Sequence, residues 1–333
     1  MCPDRPISCP SRESRSPGSR NSSFPLRLSA GNACSMVRSL SGTWSASLPT
    51  DSGTCAALTM VRLWTPSPGA SEPRRRNGLE SREDAVFNVI HRGAVSTTMD
   101  AAREPDVHLG VFDSLLAESQ TNGRGQYRRN WGSPAGNLYA SLRLPMEPPF
   151  VGTEAAVACG AAVCAELEGY GYPAVMKWPN DVALMFGGTP RKVCGILLEE
   201  RAGVLLAGVG LNLVSHPGAE AMRESTALMA CSLSECVVPG RAVPSVDELW
   251  GLLVKSIFSV YSQKTTQSGS WLELANRYLL WRGNPVRLED GSLTATGILE
   301  GVGTQGQIIL REAGGVKEYL GGSIRFAGER DSF

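Results

Sequence analysis

Residues 120–139, QTNGRGQYRRNWGSPAGNLY, pack glycines, arginines and a tryptophan between two strand-like runs, Val111 to Glu118 and Leu138 to Leu144. A loop of this composition can wrap an anion. Gly123 and Gly125 let backbone N–H groups come close to a phosphate, and Arg124, Arg128 and Arg129 supply forked, permanently charged donors. A bare G-R-G also suits a solvated basic hairpin loop, so its meaning depends on what flanks it.

On the amino-terminal side, Ala85 to Ile90 is a short apolar segment, and Thr97-Thr98-Met99-Asp100 has the hydroxyl of a capped helix start. On the carboxyl-terminal side, Thr153 and Glu154 open a predicted helix that runs through Ala156, Ala161 and Leu167 and stops at Gly169 and Gly171. Strand-like runs follow at Ala174 to Lys177, Val193 to Glu199 and Val204 to Leu213, then helical patterns from Val246 to Tyr261 and from Trp271 to Trp281. From Asn284 to Phe326 short strands are punctuated by glycines, as in a small β-barrel. The pattern predicts an α+β protein: a mixed sheet with flanking helices over residues 83–282, then a small all-β domain over 283–333. Residues 1–82 are rich in Ser, Pro, Gly and Arg, without lysine. They read as disorder, as an organelle transit peptide, or as sequence upstream of a start at Met36 or Met60.

Two further segments carry chemistry. Lys177-Trp178-Pro179-Asn180-Asp181 ends one strand, and Arg191-Lys192-Val193-Cys194-Gly195-Ile196-Leu197 begins another. Only five lysines occur in the chain, so two within sixteen residues stand out. A compact ammonium can sit between a carboxylate and a phosphate where a guanidinium fork is too broad; an ordinary ion pair between Asp181 and a lysine is the alternative. Gly208-Val209-Gly210-Leu211-Asn212 follows an apolar strand and lacks the third glycine of a dinucleotide fingerprint. Either a ligand or plain core packing could need those glycines.

Composition narrows the classes. Thirty-two basic and thirty-two acidic residues cancel, so nothing global draws the chain to nucleic acid or an anionic membrane. No apolar run reaches the ~18 residues of a membrane span. Nine scattered cysteines without a C-x-x-C pair suit reduced thiols in a cytoplasm, the expected location, with an organelle as the alternative if residues 1–82 are a transit peptide. Three histidines, far apart, leave little for a histidine metal site or a histidine-based triad.

Taken together, the segments resemble the biotin protein ligase family. The loop is similar to its G-R-G…W-x-S-P-x-G-N-L-Y signature, and K-W-P-N-D, R-K-x-x-G-I-L-x-E and G-x-G-x-N follow in the family's order, over roughly residues 84 to 326. The resemblance implies a catalytic domain like those of class II aminoacyl-tRNA synthetases and biotin ligases, with a carboxyl-terminal SH3-like barrel. It implies that biotin and Mg-ATP form biotinyl-5′-AMP, and that a lysine of a biotin carboxyl carrier domain then takes the acyl group. On this reading Lys192 bridges the biotin carboxylate and the α-phosphate, and Arg124 closes over the adenylate. Thr97, Thr98 and Gln120 hold the ureido end, while Gly195 and Gly208 line the pocket by backbone approach. Trp131 forms a wall and Asn212 faces adenine. Lys177 and Asp181 belong to the site, Asp181 as a candidate to orient the incoming amine; Gly123, Gly125, Gln126, Asn180 and Gly210 complete the set, with metal ligands unassigned. Gln126 stands where many members carry a second arginine, and Thr97 where serine is usual. No amino-terminal helix-turn-helix precedes the catalytic region, so specific DNA binding is not expected; a homodimer is left open. A lipoate ligase and a non-catalytic biotin-sensing module are the competing readings.

Overall fold

The computed structural model describes residues 37–38, 44–49, 55–58, 86–218, 228–236, 238–263 and 270–328. The chain divides into two units, residues 1–77 and 78–333. In the first, strands β1 (Val37–Arg38), β2 (Trp44–Pro49) and β3 (Cys55–Leu58) form a small antiparallel sheet, a feature that the weak periodicity of this segment does not foretell. The expectation for the rest of residues 1–82 lies outside the described residues.

The second unit is built on a seven-stranded sheet of β4 (Val89–Val95), β5 (Ser114–Gln120), β6 (Leu138–Leu144), β7 (Ala174–Lys177), β8 (Asp181–Phe186), β9 (Thr189–Arg201) and β10 (Val204–Leu211), in the order β4-β5-β6-β10-β9-β8-β7. Only β4 and β5 pair in parallel, so the sheet is mixed as predicted. Alternation along the strands separates two cores. Leu116 and Ala207 face the main one, whereas their neighbours Leu115 and Leu206 join Met99 and Ala101 in a smaller core under the short helix α1 (Thr98–Ala101).

Helices α2 (Gly152–Tyr170), α3 (Val246–Ser262) and α4 (Trp271–Tyr278) pack on the main core. Small residues along α2 let it lie close to the sheet: a Cβ on Gly160 would stand 3.1 Å from Met176 Sδ. Gly171, at φ +97°, ends α2 in the left-handed conformation that a side chain disfavours. Helix α4 stops at Tyr278, short of the predicted Trp281, because the chain is drawn into pairing with β7: Leu280 N–H donates to Met176 O at 2.9 Å.

Strands β11 (Pro285–Asp290), β12 (Leu293–Val302), β13 (Ile308–Glu312), β14 (Gly315–Tyr319) and β15 (Ser323–Phe326) form an antiparallel sheet in the order β14-β13-β12-β11-β15. Its ladder ends on β14 and β15 without closing, so a five-stranded sheet stands where sequence suggested a small barrel. It is fastened to the seven-stranded sheet through Trp178, whose buried Nε1 donates to Gly306 O at 2.8 Å.

Candidate functional site

A cleft of about 240 Å³ opens at the ends of β7, β9 and β10 and beneath the 123–131 segment. Every residue that the family resemblance assigned to the site lines it except Gly123. At one end Thr97 caps α1, its Oγ1 accepting from Asp100 N at 3.0 Å, and Thr98 N–H donates to Gln120 Oε1 at 2.9 Å. Gln120 Nε2 in turn donates to Ser133 Oγ at 2.9 Å. The sequence thus brings three amide and hydroxyl side chains to one end of the cleft by ending β4, β5 and the loop there.

The 123–131 segment is a pinched hairpin. Trp131 N–H donates to Gly123 O at 2.8 Å and Gly125 N–H to Arg129 O at 2.8 Å, with a 3-10 turn, Gln126 to Arg128, at the tip. Gly123 sits in the stem: a Cβ there would stand 2.4 Å from Trp131 O. Its freedom from a side chain is used for chain packing, which is why it is absent from the cleft wall. Gly125, Gln126 and Arg124 do face the cleft. Arg124 is gripped end-on by Asp100, Nη1 and Nη2 each donating at 2.9 Å, and its Nη2 lies 3.5 Å from Glu199. The guanidinium holds the Asp100 carboxyl below the usual carboxylate range.

At the other end Lys177 closes β7 and pairs in register with Asp181, the first residue of β8. Lys192, on β9, forms an ion pair with Asp181 at 2.6 Å. The ion pair of Asp181 with a lysine is therefore present, and the second lysine stands opposite the same carboxylate. Lys177 is 4% exposed, and burial lowers its ammonium pKa; the charge of Asp181 opposes that shift and that of Lys192 adds to it. Its Nζ also lies 3.5 Å from Ser323 Oγ, so the carboxyl-terminal sheet contributes to the wall. Asn180 Nδ2 donates to Ile196 O at 2.8 Å, bracing the β7–β8 turn against β9. Asn212 donates through Nδ2 to Cys231 O at 3.0 Å, while among the described residues no donor reaches its buried Oδ1.

The cleft floor explains its glycines. Trp131 lies across β9 and β10: a Cβ on Gly195 would stand 2.9 Å from its Cζ3, and one on Gly210 2.6 Å from its Nε1. Gly208 makes room for Met99 instead, 2.9 Å from Sδ. Lys192 Nζ stands 5.1 Å from the Trp131 ring, within cation–π range. Sequence reasoning gave no site role to Met99 or Ser323. Met99 is apolar in a polar run and looks like ordinary core; Ser323 arrives from a different sheet.

Comparison with known proteins agrees with this geometry. Residues 113–213, which include the hairpin, both lysines and the G-x-G-x-N strand, match the Biotin/lipoate A/B protein ligase family. The chain is 28% identical over 228 residues to the bifunctional ligase/repressor BirA of Salmonella typhimurium, covering 64% of this chain and 66% of that protein. It is 29% identical over 212 residues to a biotin--[acetyl-CoA-carboxylase] ligase of Mycobacterium tuberculosis, covering 60% of this chain and 73% of the relative. A biotin protein ligase from Aquifex aeolicus, solved with biotin and ATP, superposes with a TM-score of 0.60 at 28% identity, over 72% of this chain and 99% of that one. The chain is similar in sequence and in fold to biotin protein ligases. The chain spans just under two thirds of the length of the ligase/repressor it matches. It carries Gln126 rather than arginine at the hairpin tip and threonine at the α1 cap. Among its described residues no helix is long and apolar enough to cross a membrane.

Proposed function

We propose that this chain is an ATP-dependent ligase that activates biotin as biotinyl-5′-AMP and transfers it to one lysine of a biotin carboxyl carrier domain. The observation that carries the reading is the pairing of two ends in one cleft: an uncharged amide and hydroxyl cluster around Gln120, and a cationic end where Lys177 and Lys192 flank Asp181. A ureido ring needs the first, and a carboxylate meeting an α-phosphate needs the second.

In the first step a biotin carboxylate oxygen forms a bond to the α-phosphorus, and the bond to the bridging oxygen breaks as pyrophosphate leaves. Charge grows on the α-phosphoryl oxygens, and Lys192 and Arg124, fixed before the reaction, oppose it. The cleft holds carboxylate and phosphate together, so the reaction becomes effectively intramolecular. In the second step the neutral amine of the carrier lysine attacks the acyl carbon, AMP departs with the bridging oxygen, and the amine sheds one proton. Asp181, beside Lys192, is placed to orient that amine. Asn212 Oδ1 offers an acceptor to an exocyclic amine such as that of adenine. Magnesium would accompany the nucleotide and would supply charge neutralisation on its phosphates. The carboxyl-terminal sheet is read as the family's SH3-like module.

Biotin-dependent exchange of labelled pyrophosphate into ATP tests the first step. Exchange with biotin and none with lipoate is expected; exchange with lipoate alone would replace the substrate.

A further inference from the structure

Four charged side chains lie beside the cleft in an alternating cluster that the reaction as proposed does not use in full. Arg124 on the hairpin is gripped by Asp100 on α1 and reaches Glu199 on β9; Arg103 reaches the same Glu199, with Nη1 3.4 Å from Oε2, Nη2 3.1 Å from the backbone oxygen, and a further bond from Nη1 to Met99 O at 2.8 Å. An exposed ion pair between flexible side chains contributes little. This one differs in geometry: the Asp100–Arg124 contact is two-pronged with both distances at 2.9 Å, and it belongs to a network rather than a lone pair. It also joins elements that must act together. Asp100 lies two residues beyond Thr98, which meets Gln120, and bonds through its own N–H to Thr97, while Arg124 is among the hairpin residues that face the cleft.

Resting on the ligase reading, we propose that Asp100 is a positioning residue that seats Arg124, so that the hairpin is anchored over the cleft and the acyl-adenylate is retained until an amine arrives. The end-on grip fixes the guanidinium plane and the hairpin stem behind it, while Glu199 and Arg103 hold the grip from the β9 side. Without the carboxylate, Arg124 keeps its charge but loses the two-pronged grip that fixes its place, with the single 3.5 Å contact to Glu199 remaining.

The test is Asp100→Asn in the full chain, with Asp100→Glu as the charge-preserving control. Biotinyl-5′-AMP is expected to leave Asp100→Asn about tenfold faster than the parent, with the biotin KM rising by a similar factor and kcat for adenylation changing less than about twofold. Asp100→Glu should stay within about threefold of the parent in off-rate. An off-rate unchanged in Asp100→Asn, or a kcat that collapses while KM and off-rate hold, would overturn the assignment. A second arm needs no substrate: trypsin cleavage after Arg128 and Arg129, mapped by mass spectrometry on the ligand-free protein, should run several-fold faster in Asp100→Asn. Equal cleavage rates would overturn the anchor. A parent that forms no adenylate would instead refute the ligase reading, and the cleavage arm would still decide the anchor.

Discussion

Substituting Gly210 by alanine probes the floor of the cleft with a single methyl group. The new Cβ would lie 2.6 Å from Trp131 Nε1, 2.7 Å from Cε2 and 3.0 Å from Cζ2. Carbon pairs at optimal contact stand about 3.5–4.0 Å apart, so the indole must retreat by about an ångström. It is a rigid ring rather than the end of a flexible chain, and Gly195 already fits closely under its other edge, at 2.9 Å from Cζ3. Overpacking of this kind costs about 1–3 kcal/mol. The surroundings decide where that cost falls. β10 is central in the sheet, whereas Trp131 ends a loop, so the ring and hairpin should yield before the strand. The loss should therefore appear in ligand binding, as roughly a 5- to 150-fold weaker biotin affinity by titration calorimetry, with little change in melting temperature. The pair Gly210→Ala and Trp131→Ala should be non-additive, because removing the ring removes the clash, and the double variant should bind no worse than Trp131→Ala alone. Parent-like affinity in Gly210→Ala, or full additivity in the double variant, would show that the indole does not rest on Gly210.

Three further outcomes are expected. Lys177→Met should abolish adenylation yet raise stability at neutral pH by on the order of 1 kcal/mol, a few degrees in melting temperature, since burial disfavours the ammonium; a lower melting temperature would count against a strained cation. The sign follows from the lowered pKa: between its folded value and the ordinary 10.5 the unfolded chain binds more protons, so parent stability should gain from Lys177 as pH rises through that window, and Lys177→Met should flatten this part of the curve. Gly171→Ala, forced to φ +97° with its Cβ 2.9 Å from Val238 Cγ1, should lose about 1–2 kcal/mol by chemical denaturation while leaving the biotin KM unchanged. Trp178→Phe removes the buried bond to Gly306 O and should cost about 1 kcal/mol, seen as faster proteolysis of the β11–β15 sheet.

Much of the architecture was legible because it rests on local rules. The apolar run Leu138–Leu144 became β6 with the predicted ends, Ala174–Lys177 became β7, and Ser245 caps α3 where the helical period begins. Strand β8 was missed, since DVALMF is a continuous apolar run without alternation. The signal was present in Gly187-Gly188, both at positive φ, which joins Phe186 to Thr189 as a two-residue hairpin. In the site, residue identities were legible and purposes were not. Gly123, Gly195 and Gly210 all serve Trp131 or its backbone, and Gly208 serves Met99; nothing near them in sequence distinguishes a glycine that admits a ligand from one that admits an indole. The grip of Asp100 on Arg124 spans 24 residues and Ser323 reaches Lys177 across 146, separations over which no periodicity speaks.

On the proposed function one cleft activates biotin and hands it to a carrier lysine, with Lys192 at its centre. The most direct measurement mixes the purified chain with biotin, Mg-ATP and a biotin carboxyl carrier domain, and probes the carrier by streptavidin blot beside Lys192→Ala. Labelling that requires ATP and is lost in Lys192→Ala is the predicted result. A carrier left unlabelled by the parent, or labelled equally well by Lys192→Ala, would contradict it.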